Sequence, residues 1–135
     1  MKLLVSMVIL VAVLYALLLI SIFIFQRSLL YYPVPYRQGI SAQEIQFNND
    51  GLELSGWILN PGRSRAIIYF GGNAEAIENN ITNFEADLRD YSVYLIHYRG
   101  YGKSEGNPTE DGLYADALAI YDAIQEQYPG CALSD

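Results

Sequence analysis

Cysteine is nearly missing: Cys131 is the single one in 135 residues, which excludes an intramolecular disulfide and a cysteine-based zinc site. Histidine is as scarce, and His97 alone narrows both the metal and the catalytic options, so no metal and no cofactor is expected. Positive charge is short as well. Beyond residue 25 the chain carries 7 basic against 15 acidic residues, a surface that repels phosphate backbones and argues against nucleic acid as a partner. Neither an internal repeat nor a low-complexity tract occurs beyond the N-terminal run. Composition is uneven: 22 of the first 25 residues are apolar, while the remaining 110 are about 44% apolar. That is enough for one core of modest size and excludes a second domain.

The N-terminal run from Leu3 to Phe25 is interrupted only by Ser6 and Ser21. As a helix its 23 residues reach about 34 Å, more than the hydrocarbon thickness of a bilayer. A secretory signal peptide is the rival, but its apolar part is shorter and ends in small residues, whereas Ile22, Phe23, Ile24 and Phe25 are bulky. A single-pass transmembrane anchor over residues 1–25 is therefore expected, with the lipid bilayer as partner. Lys2 stands on one side and Arg27 and Arg37 on the other, so the side of the soluble part is left open. Residues 26–40 carry Tyr31, Tyr32 and Tyr36 with Pro33 and Pro35. They suit a juxtamembrane stalk with an interfacial tyrosine belt, or equally a loop that opens the domain and packs its tyrosines.

Residues 41–135 read as the soluble domain. Apolar and polar residues alternate over 45–47 and 52–59 around Asn49-Asp50-Gly51, a hairpin signal. Residues 66–70 are an unbroken apolar run, as in a strand covered on both faces, and Gly71-Gly72-Asn73 ends it. Ile77, Ile81, Phe84 and Leu88 recur at helical spacing over 75–89. Residues 91–98 form the next strand. After a glycine-rich loop Thr109 is positioned as an N-cap, with Glu110 and Asp111 at the positive helix end. Tyr114, Ala117, Leu118, Tyr121, Ile124 and Tyr128 mark one face of that last helix, up to Pro129-Gly130. Asp111, Asp116, Asp122 and Glu126 read as its solvated face. Strand, strand, strand, helix, strand, helix means a mixed α/β sheet that opens with a hairpin.

Three stretches carry a family resemblance: Phe25-Gln26-Arg27-Ser28-Leu29-Leu30-Tyr31-Tyr32-Pro33, Tyr69-Phe70-Gly71-Gly72-Asn73-Ala74-Glu75, and Tyr98-Arg99-Gly100-Tyr101-Gly102-Lys103-Ser104-Glu105-Gly106. Together they resemble the α/β-hydrolase fold, and within it the membrane-anchored serine hydrolases of the BEM46-like group. The resemblance implies that Gly71-Gly72-Asn73 replaces a His-Gly-Asn stretch after the third strand. Gly72 and Asn73 are then the candidate oxyanion-hole residues, acting through backbone N–H groups, so glycine in the histidine position need not matter. Glycine lets the chain turn sharply and lie close to a substrate carbonyl, and an N–H at a helix start meets developing negative charge.

Acyl transfer on this fold requires a serine elbow, an acid and a histidine, in that chain order. No such triad can be assembled, so no catalytic residue is assigned. Gly102-Lys103-Ser104-Glu105-Gly106 satisfies G-x-S-x-G, yet a nucleophile elbow has a strand running into it and a helix leaving it, and Ser104 has neither. A phosphate-binding loop ending in Gly102-Lys103-Ser104 needs glycine where His97 stands, and a dinucleotide site fails on the spacing of Gly100, Gly102 and Gly106. His97 precedes any nucleophile and reads as a buried or sheet-end histidine. The resemblance thus implies the N-terminal half of an α/β-hydrolase sheet, truncated before the elbow and inactive by itself, with residues 66–70 as an apolar open edge that invites a protein partner. The alternative is a non-catalytic, membrane-tethered interaction module.

Overall fold

The computed structural model describes residues 1–127. Tyr128, the Pro129-Gly130 stop and the tail from Cys131 lie outside the described residues. Two compact units are present, Met1–Tyr32 and Pro33–Asp135. The first is a single helix, α1 (Lys2–Leu30), with no buried residue and a mean hydropathy of 3.2 over its most apolar window. By length and composition it is able to cross a bilayer.

The second unit is a four-stranded sheet in the order β1-β2-β4-β3, made of β1 (Gln43–Asn49), β2 (Leu52–Leu59), β3 (Ala66–Phe70) and β4 (Ser92–Ile96). β1 and β2 are antiparallel, with Asn49 opposite Leu52, so Asp50 and Gly51 alone make the turn. Both have positive φ, 50° and 84°, as the hairpin turn that matches strand twist demands. β2 pairs antiparallel with β4, and β4 parallel with β3. Parallel neighbours need a crossover, here a 3-10 turn (Ile77–Asn80) followed by α2 (Ile81–Asp87). A last helix, α3 (Glu110–Gln127), follows β4.

Alternation along β2 and β4 divides the core between the two faces of the sheet. Leu54, Ile58, Tyr94 and Ile96 pack with Ile120 and Ile124 of α3. Trp57, Leu59, Val93 and Leu95 pack with Ile77 and Ile81 on the crossover side. Helices on both faces are the α/β arrangement expected above. The segment that opens this unit joins the second face, where the Tyr36 ring stacks on Trp57 at 5.9 Å.

Three expectations need correction. The helix over 75–89 is shorter and starts later. Ala76 is extended (φ −84°, ψ 98°), the Glu75 side chain folds back onto the preceding turn, and Asn79, Asn80, Thr82 and Asn83 are weak helix formers. The strand over 91–98 ends at Ile96. The buried face of α3 is also different. It runs through Gly112, Asp116, Ile120 and Ile124, while Tyr114 is 69% and Leu118 63% exposed. Asp116, read as solvated, is buried because Arg99 meets it as a bidentate partner. Thr109 does cap α3: its Oγ1 accepts the Gly112 N–H at 3.1 Å.

Candidate functional site

Two glycine loops leave the C-terminal ends of the parallel strands, one after β3 and one after β4. In the first, a Cβ on Gly71 would lie 2.4 Å from Ile77 Cγ2, so only glycine lets the crossover close onto the sheet. Gly72 and Asn73, the candidate oxyanion residues, are exposed. The turn they open is clamped at both ends: Glu75 N–H donates to the Gly72 carbonyl at 3.1 Å, and Gly72 N–H donates to Glu75 Oε2 at 2.6 Å. Ala74 between them is left-handed, φ 59°, a conformation that costs an alanine about 1–2 kcal/mol. No helix begins at Gly72. The 3-10 turn starts only at Ile77, so the helix-start argument for negative charge does not apply here, and the backbone amides act as individual dipoles.

Glu75 is the centre of this loop. The Tyr69 hydroxyl lies 2.9 Å from its Oε1 and 3.1 Å from its Oε2, and Asn80 Nδ2 donates to Oε1 at 2.6 Å. The Gly72 N–H first, and the Asn80 amide second, hold the Glu75 carboxyl below the ordinary carboxylate range. Burial, reinforced by Glu75, pushes the Tyr69 hydroxyl up, so it stays a donor. Aromatic rings wall the turn: Phe70 stacks on Tyr98 at 5.5 Å, Tyr98 meets Tyr101 edge-on at 5.8 Å, and the Tyr101 hydroxyl is 3.5 Å from Asn73 Oδ1.

The second loop holds the G-x-S-x-G match, and its serine is a packing residue. Ser104 is 7% exposed. Its Oγ accepts the Ser55 N–H at 2.9 Å and donates to the His97 carbonyl at 3.1 Å, which joins the loop to β2. The imidazole of His97 is turned elsewhere, edge-on to Trp57 at 5.1 Å and 3.3 Å from Glu78 Oε1. Burial pushes that imidazole below its ordinary pKa, with Glu78 opposing. Gly102 admits the ring, since a Cβ there would stand 2.5 Å from it. Arg99 fixes the loop to α3: Nε to Asp116 Oδ2 is 2.7 Å, Nη2 to Oδ1 is 2.6 Å, and Asn49 Nδ2 adds 2.8 Å to the same carboxylate. Sequence reasoning missed Asp116, Glu75 and Glu78. The i, i+4 series Gly112, Asp116, Ile120, Ile124 was the available signal for the first; nothing local marks the other two. Among the described residues no group of three or more His, Cys, Asp or Glu side chains is placed to hold a metal ion.

This architecture, a hairpin feeding a mixed sheet with glycine turns at the ends of its parallel strands, recurs in a solved structure. The esterase Pf2001 of Pyrococcus furiosus superposes with a TM-score of 0.56 at 21% identity, over 74% of this chain and 44% of that one. The chain has the α/β-hydrolase fold. No family model matches this α/β-hydrolase-fold chain, but curated relatives do. The α/β hydrolase domain-containing protein WAV2 of Arabidopsis thaliana is 30% identical over 117 residues, 74% of this chain and 38% of the relative. An uncharacterized membrane protein of Saccharomyces cerevisiae is 32% identical over 90 residues, 64% of this chain and 32% of the relative. The α/β-hydrolase-fold chain thus spans well under half the length of the curated relatives it matches.

Proposed function

We propose that this chain is the amino-terminal, oxyanion-side part of a membrane-anchored serine hydrolase of the BEM46-like kind, acting on esters or amides by acyl transfer. α1 is its single-pass anchor, residues 26–40 connect anchor and domain, and the lipid bilayer is its standing partner. The reading rests on the exposed residues Gly72 and Asn73, carried on a glycine turn at the end of β3 of an α/β-hydrolase sheet, where the Gly72 N–H already points at a carboxylate oxygen. Amides fixed there can meet the negative charge that develops on a carbonyl oxygen.

The described residues hold no activated nucleophile. A serine attacks only when an oriented imidazole takes its proton, and the Ser104 hydroxyl donates its hydrogen bond to the His97 backbone carbonyl while the His97 ring is buried against Trp57 and Glu78. On this reading the described residues carry no hydrolase activity by themselves. Incubation with a serine-reactive fluorophosphonate tests this: no labelling is expected, and labelling abolished by Ser104→Ala overturns the proposal. A membrane fraction from which alkaline carbonate releases the chain overturns the anchor.

The second reading, a tethered interaction module, is favoured by one observation. Tyr114, Leu118 and Tyr121 form an exposed apolar stripe on α3, on a sheet whose last described strand, β3, has an unpaired outer edge.

A further inference from the structure

Three donors from three separate elements converge on one carboxylate: Gly72 N–H from the turn, the Tyr69 hydroxyl from β3 and Asn80 Nδ2 from the 3-10 turn, at 2.6 to 3.1 Å from the Glu75 oxygens. None of the three is a cation. A planar, two-oxygen anion is therefore selected by hydrogen-bond direction, with one oxygen facing Gly72 and the other Asn80. Asn80 Nδ2 also lies 3.4 Å from the Tyr69 hydroxyl, so the two side-chain donors brace each other, while Gly72 remains on the exposed rim. Glu75 is only half-buried, on a side chain whose rotamers let it leave without unfolding the sheet.

We infer that Gly72 N–H, Tyr69 Oη and Asn80 Nδ2 form a carboxylate-binding site, and that Glu75 is its built-in occupant, shutting the Gly72 donor against an outside anion. The binding site stands on these distances; its functional meaning rests on the proposed oxyanion role of Gly72. A tethered ligand acts at an effective concentration of about millimolar or more, so a weak external monocarboxylate does not displace Glu75. An acyl group bound by the rest of a hydrolase site would have to do so. Glu75 must then swing out for Gly72 to serve, and the structure is the shut form of the turn.

Amide resonances of the 15N-labelled full chain in detergent micelles test this, with sodium acetate as the probe and sodium chloride as the control. The wild-type Gly72 amide is expected to ignore acetate. Glu75→Ala is expected to gain a saturable, acetate-specific shift at Gly72 and at the Asn80 side-chain amide, weakened when Tyr69→Phe is added. Glu75→Gln keeps an acceptor on the turn and is expected to stay unresponsive. Equal responses in wild type and Glu75→Ala overturn the inference, as does silence in a Glu75→Ala chain whose other resonances keep their positions. Should Glu75→Ala fail to fold, a pH titration of the wild type decides. The groups facing Glu75 are the Tyr69 and Tyr98 hydroxyls, which burial keeps protonated, and Asn80, which does not titrate. The Gly72 amide is expected to move in one step as Glu75 protonates, and a flat Gly72 amide overturns the inference. The proposed function fails by a different sign, labelling of Ser104, so the two are separable.

Discussion

Two glycine-containing loops leave the same end of the same sheet, and they have opposite uses. The loop after β4 is an internal fastening. Tyr101 and Ser104 are buried in it, the Ser104 hydroxyl is committed to β2 and to the His97 carbonyl, and Arg99 is bound to α3. The loop after β3 presents its backbone to solvent and is held by one half-buried carboxylate. A motif match alone points to the wrong one, since G-x-S-x-G lies in the fastening. What separates the loops physically is the fate of their polar atoms. The Ser104 hydroxyl and the Arg99 guanidinium of the loop after β4 are satisfied inside the protein, where removing their partners costs stability; the Gly72 N–H after β3 is satisfied by a side chain able to move away.

Substitutions set the two loops against each other. Asp116→Ala should have the largest effect, because it leaves the Arg99 guanidinium beside α3 without its bidentate partner; a loss of about 3–5 kcal/mol is expected, read from urea unfolding of the full chain in micelles. Gly102→Ala follows. Its backbone is left-handed (φ 56°) and its Cβ would meet the His97 ring, so about 1–2 kcal/mol of backbone strain adds to about 1–3 kcal/mol of overpacking. Ser104→Ala strands the Ser55 N–H and should cost about 1–3 kcal/mol, with no change in fluorophosphonate labelling.

Acid sharpens the contrast. The folded-state pKa of His97 is depressed, so the unfolded chain binds its proton first, and the His97 contribution is complete above about pH 6.5 and declines as pH falls below it. Unfolding midpoints measured across that range should slope downward toward acid, and His97→Gln should flatten the slope. Gly72→Ala should have the smallest effect: its Cβ would meet only the flexible end of Glu75, at 3.2 Å. Within about 0.5 kcal/mol of wild type is expected; a loss as large as that of Gly102→Ala would erase the distinction between the loops.

The parts of the fold that sequence reveals are those governed by local rules. The limits of β3, the Asp50-Gly51 turn and the Thr109 cap each follow from neighbouring residues, and the flanks of Ser104, with no strand entering and no helix leaving, are enough to disqualify it as an elbow. Where tertiary partners decide, the pattern misleads. Asp116 looks like surface on a helical wheel because its partner lies 17 positions upstream, and Tyr114 and Leu118 look like core because they are apolar at the right spacing. The candidate site shows the same division. Gly72 and Asn73 are legible from the glycine turn and the family likeness; the carboxylate resting on Gly72 is not, since three residues of separation say nothing of where a side chain folds.

The strand order carries a consequence for how quickly the domain forms. β1 with β2 is a two-residue hairpin of near neighbours in the chain, whereas β3 pairs with β4 across 26 positions, Ala66 with Ser92. β2 faces β4 across up to 40 positions, Gly56 with Ile96, but once Ala66 lies beside Ser92 the short link from Leu59 to Ala66 leaves β2 next to its place on β4. Closure of the chain between β3 and β4 is opposed by chain entropy before any contact across it repays the cost. The hairpin should therefore form early, and the laying down of β4 between β3 and β2, which brings Trp57 beside Leu95, should limit the rate.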